Sequence, residues 1–249
     1  MGKHIKKIQP VKIILIFIFF ISFKLFSQKE FDTEIESNSR PGILYYFTWK
    51  PSNKPKVRKY DRFIFDVYYT DARDPKNIIK KSTSNIGFTV NFMQEFALNK
   101  KNTISIGTGL GLTNSKANLN SNLILGKANT IILSAPLLNY KKNVLNEFNI
   151  NIPIELRFRT KGWSHYKIHF GGRIGYQVRL NEKYFFEDSK VNYRTSLKKA
   201  AENFTYSVHT RIGVRNYSFY ASYNLNPLFK HSESPKMNWF QLGCSISLF

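Results

Sequence analysis

Residues 147–159 read EFNINIPIELRFR, and this stretch decides the fold class. Every even position from Phe148 to Phe158 is apolar, whereas every odd position is polar, charged or proline. Successive side chains of a β-strand point to opposite faces, so a period of two predicts a strand with one apolar and one polar face. An amphipathic helix, with its period of 3.6 residues, would not keep this alternation along the whole stretch.

The same alternation recurs elsewhere in the chain. The next stretch places Tyr166, Ile168 and Phe170 on its even face, and Lys167 and His169 on its odd face. The sequence predicts eight such strands, at residues 62–70, 85–98, 103–113, 147–159, 165–180, 203–215, 216–228 and 238–249. A tilted strand needs only about 9–11 residues to cross a bilayer, so each predicted strand is long enough to span or nearly span one.

The connections between these strands alternate in length. Long segments follow the first, third, fifth and seventh strands, whereas the other strands are joined by short turns such as residues 99–102. Outer-membrane barrels show this pattern, with short periplasmic turns and long external loops. The sequence therefore predicts an all-β fold, an eight-stranded antiparallel up-and-down transmembrane β-barrel over residues 61–249.

A soluble lipocalin-like ligand-binding barrel would also alternate, but with its apolar face inside. Two features favour an apolar exterior here. The polar face carries glycines, which leave space for long side chains inside a narrow barrel: Gly107, Gly109, Gly111, Gly171, Gly175, Gly213 and Gly243. The apolar face carries aromatic residues near strand ends, as interfacial girdles do: Phe148, Phe158, Tyr166, Tyr206, Tyr217 and Phe240.

The inward set that follows from this orientation is strongly charged. It comprises Asp66, Glu95, Glu155, Arg157, Arg159, Lys167, His169, Arg173, His209 and Arg211. Eight strands enclose only enough room for side chains, and buried charges are tolerated when they are paired. We therefore expect a charge network that fills the barrel rather than an open channel.

The N-terminal region has the organisation of an exported protein. Basic residues precede a short apolar run at residues 13–23, which is too short to span a bilayer as a helix. This pattern predicts a signal peptide at residues 1–27, cleaved after Ser27. Residues 28–60, which contain Pro41, Pro51 and Pro55, are expected to form a periplasmic segment before an outer-membrane barrel.

Composition narrows the choice of function. The formal net charge is +22, but the basic residues are spread along the chain, which argues against nucleic acid and favours outer-membrane lipid, including lipopolysaccharide, as a partner. The single cysteine, Cys244, excludes an intramolecular disulfide and a cysteine-cluster metal site. Ser207 and His209 share one strand face, but spacing alone makes no catalytic site, so we expect a non-enzymatic protein without catalytic residues, metal or cofactor.

Four stretches carry a resemblance to a known family: DRFIFDV at residues 61–67, NIPIELRFR at 151–159, GGRIGY at 171–176 and ISLF at 246–249. In these the chain resembles the PorT-like outer-membrane β-barrel family, whose members are linked to type IX protein secretion and gliding motility. The resemblance implies a structural or assembly component of a cell-envelope complex, with Phe249 as the signal for the barrel-insertion machinery. The alternative function is a surface-binding, adhesin-type barrel.

Overall fold

The computed structural model describes residues 61–73, 78–99, 101–134, 140–160, 166–186 and 192–248. The predicted signal peptide, the segment 28–60 and Phe249 lie outside these residues. The described strands are β1 Phe63–Arg73, β2 Ile79–Lys80, β3 Ile86–Ala97, β4 Ile104–Leu119, β5 Asn122–Leu125, β6 Ile131–Ser134, β7 Tyr140–Arg159, β8 Tyr166–Phe186, β9 Asn192–Ser196, β10 Phe204–Val214, β11 Tyr217–Asn224 and β12 Asn238–Ser247. Among the described residues, no helix has the length and hydrophobicity of a membrane span.

Eight strands close into one barrel. Going round it, the order is β1, β3, β4, β7, β8, β10, β11 and β12, and β12 pairs again with β1. All of these pairings are antiparallel, and each strand pairs with the barrel strand that follows it in the chain. The predicted all-β, eight-stranded antiparallel up-and-down barrel is therefore confirmed.

The apolar face of the barrel is on the outside. Ile150, Ile152 and Ile154 are about half exposed, whereas Asn151 and Glu155 on the opposite face are buried. Aromatic side chains ring the belt: Tyr166 and Tyr217 flank it where β1 begins, and Tyr176 packs edge-on against Phe204 towards the other end. This is an exterior of the outer-membrane type. The lipocalin-like alternative is wrong, because it requires the apolar face to point inward.

Several strands extend beyond their predicted ends. β4 continues to Leu119, β7 begins at Tyr140 and β8 runs on to Phe186. A bulge interrupts the β7–β8 ladder, where Phe148 pairs with Arg179 but Asn149 pairs with Gln177. The extra residue changes the phase of the alternation in β8. The pattern in the sequence therefore stops near Leu180 although the strand does not.

A small apolar layer, here called the cap, covers one end of the barrel. It consists of β2, the β5–β6 hairpin and the segments around residues 197–201 and 228–237, packed on inward side chains of the barrel such as Leu145, Leu180 and Trp239. We call this the cap end. The opposite end, where β1 begins and β12 ends, is called the terminal end. The cap lies across the barrel mouth because its barrel contacts are inward-facing residues.

Candidate functional site

The barrel interior is the candidate site. The structure places all ten charged residues predicted for the interior inside the barrel, each with less than a tenth of its surface exposed: Asp66, Glu95, Glu155, Arg157, Arg159, Lys167, His169, Arg173, His209 and Arg211. They come from five strands, and the period-two alternation is what turns each of them inward. The sequence could supply the members of this set but not which of them pair.

Glu155 and Arg211 form the centre of the network. Glu155 Oε1 accepts hydrogen bonds from Arg211 Nη1 and, at 2.9 Å, from His209 Nε2. Its Oε2 accepts one from Arg157 Nε at 3.0 Å. Arg211 also donates to both carboxylate oxygens of Asp66, at 2.9 and 2.7 Å. Bidentate, charge-assisted pairs of this kind are the strong class of hydrogen bond, and here they connect β1, β7 and β10 across the lumen.

Asp61 closes the network at the terminal end. Its Oδ1 accepts a hydrogen bond from Lys167 Nζ at 2.9 Å, and its Oδ2 lies 3.5 Å from His169 Nε2. Lys167, on β8, also donates to Ser247 Oγ at 2.8 Å, so its ammonium group bridges Asp61, two residues before β1, and the last residue of β12. Asp61 was missed in the sequence because it precedes the alternating residues of β1 and has a positive φ of 52°.

A further acidic residue, Glu95, completes the terminal half of the interior. Its Oε1 accepts a short hydrogen bond from Arg159 Nη2, and its Oε2 lies 3.6 Å from Arg157 Nη1. Arg157 is thus shared between Glu95 and Glu155, two residues on different strands. The terminal half of the lumen is therefore occupied by linked ion pairs.

Two tyrosines that the sequence analysis did not include lie above this centre. Arg173 donates to Tyr220 Oη, and the guanidinium groups of Arg173 and Arg211 lie 5.3 and 5.4 Å from the centre of the Tyr220 ring. Tyr68 packs on Tyr220 at 5.5 Å between ring centres. Both rings point inward, Tyr68 between Asp66 and Thr70 on β1 and Tyr220 between Ser218 and Ser222 on β11, whereas the sequence pattern assigns large aromatic residues to the lipid face.

Glu147 lines a small cavity inside the barrel. The carboxylate accepts hydrogen bonds from Asn149 Nδ2 at 3.0 Å and Gln177 Nε2 at 2.9 Å. The cavity has a volume of about 20 Å³, and its other walls include Arg173 and Gln241. That volume holds about one water molecule. This cavity is therefore too small to carry a solute.

Glycine makes the network possible at specific points. A Cβ at Gly107 would lie 2.5 Å from Arg157 Nε, so only glycine leaves space for that guanidinium. A Cβ at Gly111 would lie 2.3 Å from Asn151 Oδ1. Gly107 and Gly111 therefore lie where inward side chains cross the lumen, whereas a Cβ at Gly109, Gly171, Gly213 or Gly243 would first meet the backbone of a neighbouring strand.

The Ser207–His209 pair has a different arrangement from a catalytic one. His209 Nε2 contacts Glu155, and His209 Nδ1 accepts a hydrogen bond from Arg173 Nε at 3.3 Å. Both ring nitrogens are therefore engaged by charged neighbours, and Ser207 lines the small cavity instead. Within the described residues no cluster of three His, Cys, Asp or Glu side chains could hold a metal ion.

At the cap end, Glu182 fixes the β5–β6 hairpin to β8. Its carboxylate accepts hydrogen bonds from the Leu123 backbone N–H at 3.1 and 3.3 Å and from Asn143 Nδ2. Burial raises the pKa of the Glu182 carboxyl above its ordinary value, and these donors offset the rise only in part. Glu182 is therefore a titratable group at the joint between cap and barrel.

Comparison with known proteins adds little. No family model and no curated protein matches this chain. Among solved structures, the chain matches the crystal structure of Ail, the attachment invasion locus protein of Yersinia pestis, with a TM-score of 0.36 and 11% sequence identity over 74% of this chain and 95% of that one. A likeness at that level supports no conclusion about the function of this barrel.

Proposed function

We propose that this chain is a non-enzymatic integral outer-membrane barrel that serves as a closed, rigid anchor in a cell-envelope complex. The observation that carries the proposal is the paired-charge network that occupies the terminal half of the lumen, together with the cap across the other end. A barrel whose interior is occupied by its own side chains offers its exterior and its cap to partners, not a path for solutes.

The position of the barrel in the outer membrane is supported by its exposed apolar belt. Residues such as Phe92 and Phe219, with 63% and 78% of their surface exposed, would be costly to leave in water but suit a lipid environment. Export through the signal peptide at residues 1–27, with cleavage after Ser27, is part of the proposal. So is insertion guided by Phe249.

The complex that we favour is the type IX protein secretion system. This choice rests on the resemblance to PorT-like barrels in stretches such as residues 151–159 and 171–176. The closed lumen is consistent with a structural role in such a machine, because an assembly component needs no conducting path of its own.

The test is a deletion strain in which the proteins released to the medium are compared with those of the parent. We expect type IX cargo to remain in the cells, and secretion to return with the wild-type gene and equally with the Ser207→Ala variant. Unchanged secretion in the deletion strain would contradict the assignment to this machine. Restoration by wild type but not by Ser207→Ala would contradict the non-enzymatic assignment.

A surface-binding, adhesin-type barrel is the second candidate, favoured by one feature of the cap. Ile124 and Ile132 are directly paired across the β5–β6 hairpin, and both are about half exposed. An exposed apolar pair on an external hairpin could contact another surface. If the double variant Ile124→Ser/Ile132→Ser lost adherence while deletion left secretion intact, the adhesin function would replace the secretion one.

A further inference from the structure

One wall of the barrel rises well above the apolar belt. It is built from the cap-end parts of β4, β7 and β8, together with β9, which pairs with β8. Because these strands continue past the belt, their outward side chains form a surface that faces the region just outside the hydrocarbon layer. We call this surface the upper wall.

The outward side chains change character abruptly along this wall. Leu112, Ile150 and Tyr176 form an exposed apolar row across three paired strands. The next outward row places Arg179 beside Phe148. Strand residues rise by about 3.3 Å each, so the first cation lies within about 10 Å of the top of the apolar belt.

Further rows add more cations. Lys116 lies on β4 in the row of Asn146 and Asn181, and Lys183 pairs directly with Arg194 in the row above. Lys116, Arg179 and Arg194 are exposed, and Lys183 is half-buried. Arg179 and Lys183 are four residues apart on one strand, which corresponds to about 13 Å. These four residues therefore form a compact cationic patch.

Among the residues that the structure describes, no carboxylate lies on the same outward surface as this patch. Above the apolar row, the outward positions of β4, β7, β8 and β9 that the structure describes hold asparagine, serine, apolar residues and basic residues, without Asp or Glu. Glu147 and Glu182 lie on the same strands, but they are buried on the inward face. The described part of this surface therefore carries net positive charge, which attracts anions.

Two cation–π contacts and one hydrogen-bonded side-chain pair hold basic side chains against the wall. The Arg179 guanidinium lies 5.8 Å from the centre of the Phe148 ring, and Lys198 Nζ lies 4.9 Å from the centre of the Tyr176 ring. With its amide oriented to accept, Asn181 takes hydrogen bonds from Arg194 Nε and Nη2 at 3.1 and 2.6 Å. These contacts keep long side chains close to the wall at the height of a lipid headgroup.

From this arrangement we infer that the upper wall is a binding site for a phosphorylated outer-leaflet lipid. Its phosphate groups contact Lys116, Arg179, Lys183 and Arg194, and its acyl chains lie on Leu112, Ile150 and Tyr176. The inference rests on the proposed outer-membrane location. Adjacent apolar and cationic rows match an amphiphile with charge at one end, whereas a nucleic acid or an acidic soluble protein would gain nothing from the apolar row.

The test uses the full barrel in zwitterionic detergent micelles, titrated with diphosphoryl lipid A or with the same lipid after removal of both phosphates. We expect the phosphorylated lipid to bind at least about tenfold more tightly, and the preference to weaken as salt is raised. The variant K116Q/R179Q/K183Q/R194Q should lose most of this preference, because it removes the phosphate contacts and leaves the apolar row intact.

The matched control, K127Q/K199Q/K230Q/K236Q, removes the same charge from exposed lysines outside the upper wall. It should bind the phosphorylated lipid within about threefold of wild type. Equal losses in the two variants would overturn the inference, because net charge alone would then explain the attraction. Equal binding of the two lipids, or full displacement by equimolar inorganic phosphate, would overturn it as well.

Each variant is first run unboiled and boiled on a denaturing gel, so that only folded barrels enter the titration. A folded barrel without a phosphate preference refutes the lipid site and leaves the proposed function standing. Absence of the chain from the outer-membrane fraction refutes the proposed function independently.

Discussion

Replacing Glu155 with leucine should destabilise the barrel more than any other single loss of an interior carboxylate. Glu155 accepts hydrogen bonds from Arg157, His209 and Arg211, on two different strands. Arg211 would keep its two bonds to Asp66, but Arg157 would keep only the more distant Glu95, at 3.6 Å, and the Asp61 carbonyl, at 3.4 Å. The substitution thus leaves a buried guanidinium largely uncompensated.

The expected magnitude follows from that geometry. Removing one partner of a buried ion pair costs about 3–5 kcal/mol, and Glu155→Leu should fall in this range. Glu155→Gln retains one acceptor oxygen and should cost about 1.5–3 kcal/mol, the range for a hydrogen bond to a charged group. Glu233→Gln is the matched control, because Glu233 is exposed, and it should change stability by less than about 0.5 kcal/mol.

The assay is equilibrium unfolding in urea of barrels folded into phosphatidylcholine vesicles, followed by the loss of the unboiled gel band. The double variant Glu155→Leu/Arg157→Leu should be less destabilised than the sum of its single variants, since each substitution removes the charge that the other leaves unpaired. A Glu155→Leu barrel within about 0.5 kcal/mol of wild type, or strictly additive effects, would refute the view that paired charges hold the interior together.

Three further predictions concern the lumen, the cap and the conductance. Gly171→Ala should lower the free energy of unfolding by about 1–3 kcal/mol in the same assay, because the added Cβ would lie 2.2 Å from the Ile154 carbonyl oxygen. Gly172→Ala is the control and should be nearly neutral, because the nearest atom to its added Cβ is 3.5 Å away. Equal effects of the two substitutions would contradict this packing. Glu182 has a raised pKa in the folded protein, so its stabilising contribution is present below its ordinary pKa and is lost as the pH rises through the raised value. As the pH rises from the ordinary pKa of a glutamate carboxyl to the raised value, the Leu123 amide should therefore become less protected against hydrogen exchange, after correction for the intrinsic exchange rate. Glu182→Gln should remove this pH dependence. Reconstituted in a planar bilayer, the barrel should give no discrete single-channel steps, and regular steps would refute a filled lumen.

The barrel strands were predictable because burial in a closed sheet imposes a period of two. The stretch at residues 147–159 and the seven other alternating stretches predicted both the number of barrel strands and the ten charged residues of the interior, of which Asp66 is the first in the chain and Arg211 the last. The pairing was not predictable, since it depends on residues far apart in the chain. Arg211 and Asp66, for example, are separated by 145 positions and meet only when the barrel closes.

Two features that the sequence did not reveal lie where the alternation fails, at a strand end and beyond the belt. Asp61 precedes the alternating residues, and the β8 bulge near Arg179 changes the phase. The cap is held together by an apolar cluster whose residues come from many short segments, so no single stretch of sequence predicts it. Ile131 and its neighbours lie in the long segment between the third and fourth predicted strands, and the structure places them in the β5–β6 hairpin of the cap.

The most direct test of the central claim is heat-modifiability of this protein in the outer-membrane fraction of cells. A closed antiparallel barrel with an apolar exterior resists detergent until it is boiled, so it runs compactly on a denaturing gel. We expect a fast band in the unboiled sample that slows on boiling. A protein recovered in the soluble periplasmic fraction, with the same mobility before and after boiling, would contradict it.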